Sequence, residues 1–230
     1  MAKQEMATTT TNPRSKMPGF GRRVILLVAP VHDELTAYTA GLLENPPELG
    51  APNVLCRPES SLAYDELLSQ LAIDPSETEV GLVFCGHGRE DSLLGPGAPG
   101  DAAAFSPFFD QRHVLAGPKF LLAFCSNAAA ELGAAYERRS HGRTFVGFED
   151  EIGLVMKGGI YAESWKRILF GSVSAMLSTP DASTLEKSVL GLYRDVLSLF
   201  SPERDQKYRW GFMMRAYLRH QMSSISFIRT

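Results

Sequence analysis

Two short segments of this chain place a reactive residue type among glycines or small polar residues: Cys85-Gly86-His87-Gly88 and Phe124-Cys125-Ser126-Asn127. Each closes an apolar run, EVGLVFC in the first case and KFLLAFC in the second. Apolar runs of this length, too short for helices and ended by turn residues, read as strands of a parallel sheet buried on both faces. In an open α/β sheet, reactive residues gather beyond the carboxyl ends of the strands. With these two strands as neighbours, His87 and Cys125 stand side by side on that edge.

A cysteine so placed can act as a nucleophile, because unpaired amides of a helix starting near Ser126 or Asn127 favour a thiolate. Histidine suits it as a partner: it can hold the thiolate as an ion pair or deliver a proton to a leaving amine. Gly88 allows its amide to approach a substrate carbonyl with no Cβ in the way, and the Gly88 and Cys125 amides together could form an oxyanion hole. The plainer alternative for each residue is packing, since a cysteine ending a buried strand is commonly a small hydrophobe. Cys85, inside its strand, reads as core, and so does Cys56. Three cysteines without CxxC spacing suit neither a disulfide framework nor a zinc knuckle. No metal or cofactor is expected.

The elements that must position this pair follow from periodicity. Residues 1–21, with four consecutive threonines and two prolines, read as a disordered tail. RRVILLVAP is a buried strand, Glu34 to Leu43 a helix, VLCRP a short strand, and SLAYDELLSQLAI a helix capped by Ser60 or Ser61. GPGAPGDAAAFSP reads as a surface loop, NAAAELGAAYERR as the helix after Cys125, and RTFVGF as a fifth strand. From Tyr161 onward the chain reads as helical. Strands alternating with helices predict an α/β fold: a mostly parallel central sheet with helices on both faces and a helical C-terminal part, one domain over residues 22–230.

Composition narrows the setting. Apolar residues make up 44% of the 230, enough for a core, and the formal net charge is −3. That balance argues against nucleic-acid or membrane-surface binding, both of which call for a basic field. No apolar run approaches the roughly 20 residues of a membrane span. The start of the chain lacks the apolar core of a signal peptide, and the run after Arg22-Arg23 carries acids too early for an export signal. A cytoplasmic location is expected.

The order of apolar strand, Gly-His-Gly, polar loop and apolar strand ending in Cys resembles clan-CD cysteine peptidases, the branch that includes caspases, separase and the CHAT proteins. EVGLVFCGHGREDSLLGPG is similar to the CHAT histidine segment, with its short Ser-Leu-Leu strand, and KFLLAFCSNAA to the cysteine segment. TFVGFEDEIGLV and the aromatic helix around Tyr161, Trp165 and Phe170 are similar to the segment that follows. The resemblance spans roughly residues 78–175. It implies a caspase-like fold and a cysteine endopeptidase acting on protein substrates, with His87 as general base and acid, Cys125 as nucleophile and Gly88 as an oxyanion donor. Caspases carry Gln two residues before the cysteine; here that position is Ala123, so cleavage after aspartate is not expected.

Glu149-Asp150-Glu151 reads either as an exposed turn or as a desolvated lining that selects a basic residue before the scissile bond. KYRWGFMMRAYLRHQM reads as an amphipathic helix on the sheet, or as a docking face for a regulator. With residues 22–230 taken up by the core, control is expected to come from a separate regulatory protein acting on a latent enzyme. The competing expectation is a catalytically silent caspase-like fold serving as a sensor or adaptor.

Overall fold

The computed structural model describes residues 23–58, 62–97, 105–115, 117–139, 142–179, 181–204 and 207–230. The expected tail over residues 1–21, the Ser60/Ser61 cap and Gly100 of the Gly/Pro-rich segment lie outside them.

Five strands are parallel: β1 (Arg23–Val28), β2 (Asn53–Cys56), β3 (Glu79–Cys85), β7 (Phe120–Phe124) and β8 (Thr144–Phe148). An antiparallel sixth, β9 (Ile225–Arg229), closes the sheet in the order β2-β1-β3-β7-β8-β9. β4 (His87–Arg89), β5 (Ser92–Pro96) and β6 (Phe105–Asp110) form a small antiparallel sheet. The class is therefore α/β with a mostly parallel central sheet. The strands at its centre are apolar throughout because both faces are covered. Gly81 on β3 has a packing reason to lack a side chain: a Cβ there would sit 2.2 Å from the Phe120 ring.

On one face, α1 (Glu34–Leu42), α4 (Ile160–Ser178), α5 (Ala182–Leu199) and α6 (Gly211–Ser224) bury Ile25, Leu27, Val83, Cys85 and Phe124 of the strands. Leu185, Val189, Tyr193 and Val196 make the inward stripe of α5 at helical spacing. Trp165 of α4 is fully buried and meets Phe124 edge-on. On the other face lie α2 (Tyr64–Gln70), the segment Ala129–Gly133 with α3 (Ala134–Arg139), and the β5–β6 hairpin. No helix of the described residues is long and apolar enough to cross a membrane.

Several expectations need correction. α2 starts at Tyr64, and the Glu66 side chain caps it by accepting from the Ala63 amide at 3.0 Å. The segment read as a surface loop contributes Gly95 and Pro96 to β5, and Phe105, Ser106 and Pro107 to β6. The C-terminal part is not wholly helical, since β9 follows α6 without a turn.

Candidate active site

Register brings the two reactive segments together. β3 and β7 pair in parallel with Cys85 opposite Phe124. His87 thus lies two residues beyond one strand end, and Cys125 one residue beyond its neighbour. After Gly86 the chain continues as β4 and runs alongside Cys125. A Cβ added to Gly88 would sit 2.7 Å from the Cys125 Sγ and 2.5 Å from the Ser126 carbonyl oxygen. Position 88 therefore has no room for a side chain. The space that glycine leaves is filled by the thiol itself, not held open for substrate as the sequence suggested.

The thiol is fully buried. Burial pushes the Cys125 pKa well above the ordinary thiol range. The expected assistance from a helix N-terminus is absent from this arrangement. Residues 126–128 form a turn, a π-helical segment starts only at Ala129, and its Glu131 and Leu132 amides donate to the Glu90 carbonyl at 2.9 and 2.8 Å. Those amides thus tie the β4–β5 turn to the chain after Cys125. Cys85 is also fully buried, in the core on the opposite face of the sheet, with its pKa raised by burial and by the proximity of Cys125. Cys56 is buried at the end of β2, and burial pushes it up to about 11. Both match the core reading.

The turn after Cys125 is held from the loop that follows β8. Asn127, in the left-handed region at φ 60°, donates its amide to the Asp150 carbonyl at 3.1 Å, and the Ile152 amide donates to Ser126 Oγ at 3.1 Å. Asparagine tolerates this conformation better than most residues. Glu149, Asp150 and Glu151 therefore lie beside the turn after Cys125, but all three side chains are exposed. They do not form the desolvated lining that one sequence reading required. An open concavity of ≈ 490 Å³ borders Gly88 and Asn127, and its other walls are Arg89, Glu90, Asp91 and Glu131. Three of its six lining residues are acids from positions the sequence reading passed over, two of them in the Gly-Arg-Glu-Asp stretch directly after His87.

Sequence reasoning also missed Asp33. Its Oδ2 lies 2.7 Å from His87 Nε2. Asp33 caps α1, and Thr36 supplies the reciprocal contacts of a capping box. Burial works to raise the Asp33 pKa, but the Thr36 amide, the His87 ring and the Thr36 hydroxyl outweigh it and hold the carboxyl below its ordinary range. The Phe105 ring packs edge-on against His87 at 5.1 Å and against His32 at 4.9 Å. His32 Nε2 is buried without a hydrogen-bond partner among the described residues. Desolvation, with repulsion from His87, pushes the His32 pKa down despite the attraction of Asp33.

No family model matches the chain, and no curated protein matches it at a significant level. The functional reading thus rests on the residues and their geometry.

Proposed function

We propose that this chain is a cysteine endopeptidase of the caspase, separase and CHAT branch, with Cys125 as nucleophile and His87 as its proton partner. The observation that carries the reading is the packing of Gly88 against the Cys125 thiol, across two neighbouring parallel strands. This contact brings the residue next to His87 up to the sulfur. A parallel sheet with a single antiparallel edge strand is compatible with the caspase-like fold that the resemblance implies.

In this mechanism the Cys125 sulfur attacks a peptide carbonyl while the Gly88 and Cys125 amides receive the oxyanion. His87 then protonates the leaving amine. The chemistry calls for neither metal nor cofactor. A free thiol of this kind persists in a reducing compartment such as the cytoplasm. Full burial of the thiol and the Phe105 ring across His87 favour a latent resting state, raised to activity by a separate regulatory protein that binds the open arrangement.

The substrate is a protein segment with a basic residue before the scissile bond. Glu90, Asp91 and Glu131 in the concavity, with Glu149, Asp150 and Glu151 beside it, favour Lys or Arg. All six are exposed, so each pair with a substrate cation is worth about 0–1 kcal/mol. Neutralising one charge then costs at most about fivefold, less than a desolvated pair would.

The burial of Cys125 also favours a second reading, a catalytically silent fold used as a sensor or adaptor. A peptide-library cleavage profile of the purified chain, alone and with candidate partners, separates the two. The peptidase reading expects cleavage after Arg or Lys that Cys125→Ala and His87→Ala each abolish. Cleavage that persists in Cys125→Ala assigns the nucleophile elsewhere, and none under any condition favours the silent fold.

A further inference from the structure

Asp33 divides its two carboxylate oxygens between structure and site. Oδ1 accepts from the Thr36 amide at 2.8 Å and from the Thr36 hydroxyl at 2.9 Å, whereas Oδ2 meets His87 Nε2 at 2.7 Å. The hydroxyl's role is fixed by its other contacts. Thr36 Oγ1 receives the amides of His32 and Asp33 at 2.8 and 2.9 Å, so its own proton points to the carboxylate.

We infer that Asp33 is the positioning residue of the dyad: it holds His87 as the Nε2–H tautomer and reserves Nδ1 for the proton of Cys125. The inference rests on the peptidase reading of the site. An ionised carboxylate can only accept hydrogen bonds, so the ring nitrogen it faces must donate. Whenever the imidazole is neutral, its lone pair is then on Nδ1.

The proton path follows from that assignment. During acylation the Cys125 S–H proton passes to Nδ1, the S–C bond forms and the carbonyl π pair moves onto oxygen. Collapse of that oxyanion breaks the C–N bond, and Nδ1 gives the proton to the departing amine. In deacylation Nδ1 takes a proton from water as the water oxygen attacks the acyl carbon. The S–C bond breaks and the sulfur regains the proton. Nε2–H stays on Asp33 throughout, and the carboxylate stabilises the imidazolium without taking its proton.

The helix cap makes one substitution a sharp test. In Asp33→Asn the Thr36 amide still needs an acceptor, so the side-chain oxygen keeps the Oδ1 place and the cap survives. The NH₂ group then faces Nε2, which must accept, and the ring proton moves to Nδ1. Long-range proton–nitrogen NMR of His87 in the full chain reads the tautomer directly. The expected result is Nε2–H in the native protein and Nδ1–H in Asp33→Asn. Alongside it, kcat on an Arg- or Lys-containing fluorogenic peptide should fall on the order of 100-fold or more, with KM and the unfolding midpoint little changed.

Asp33→Ala, which removes cap and partner together, should lower both kcat and the unfolding midpoint and leave His87 as a mixture of tautomers. An Nδ1–H ring in the native protein, or a tautomer unmoved in both variants, overturns the inference; so does a tautomer that inverts with kcat intact. The NMR result does not depend on turnover. If Cys125→Ala keeps the activity, the peptidase reading fails while the Asp33–His87 assignment is still decided by the spectrum.

Discussion

Burial raises the Cys125 pKa, so in the proposed mechanism attack on a carbonyl is coupled to loss of the sulfur's proton to His87. Gly88, which follows His87 and packs on the Cys125 sulfur, has almost no tolerance for a side chain. A Cβ there meets the sulfur at 2.7 Å and backbone oxygen at 2.5 Å, and backbone yields least. Gly88→Ala should therefore destabilise the fold by about 1–3 kcal/mol through overpacking, and it should remove cleavage. Denaturant unfolding and the peptide assay measure the two effects. A variant of unchanged stability would mean that β4 is not packed on the nucleophile. The placement of Cys125, His87 and Gly88 just beyond neighbouring strand ends was legible because buried apolar runs closed by turn residues mark parallel strands. Asp33 was not legible. Its bond to His87 spans 54 positions and depends on β1 pairing with β3 so that Val28 lies opposite Phe84, a register the sequence does not state.

At the scale of elements, the parallel strands were the readable part, since β-branched and aromatic runs bounded by turns have few other uses. The β5–β6 hairpin was not readable because Gly95, Pro96 and Pro107 weaken a strand pattern, and proline is confined to sheet edges and strand ends. The ladder also shifts register between Leu93 and Leu94, which breaks the alternation that would have marked it. β9 was missed for a different reason: Ile225 follows Ser224 of α6 with no Gly or Pro to signal a change. The hairpin has a functional side. Its Phe105 ring is 38% exposed, so it contributes modestly to the core while covering His87 and His32. Phe105→Ala should raise the basal turnover of the isolated chain, up to about tenfold, because a shift of about 1.4 kcal/mol toward the open state suffices. Initial rates on a fluorogenic peptide measure it. A fall in rate would assign the ring to shaping the site instead of shielding it.

Across the whole molecule, the turn after Cys125 is held through a relay that starts at the C-terminal helix. Gln221 of α6 is fully buried, accepts from the Tyr193 hydroxyl at 3.0 Å and donates to the Gly153 carbonyl at 2.8 Å. His220 Nε2 bonds the Glu151 carbonyl at 3.0 Å, and the Glu149 amide donates to the Ser224 carbonyl at 2.8 Å. That same loop holds Ser126 and Asn127. α6 adds Met214 and Leu218 to the core and packs chiefly against α5, not directly on the sheet as its amphipathic pattern suggested, and it leaves Phe212 70% exposed. Gln221→Ala strands a buried hydroxyl and a buried carbonyl, so it should cost about 1–3 kcal/mol. It should also lower kcat through the loosened loop, although Gln221 touches no reacting atom. Unchanged kcat at reduced stability would confine the relay to a structural role.

The central claim is that Cys125 is a nucleophile driven by His87. Incubating the native chain with a peptide carrying Arg before an acyloxymethyl ketone, then mapping the adduct by mass spectrometry, tests it most directly. The account predicts a single adduct at Cys125, none at Cys56 or Cys85, and a rate at least about tenfold slower in His87→Ala. An adduct at Cys85 or Cys56 instead would contradict it. So would a Cys125 that reacts equally fast without His87, or one that is labelled only after the protein is unfolded.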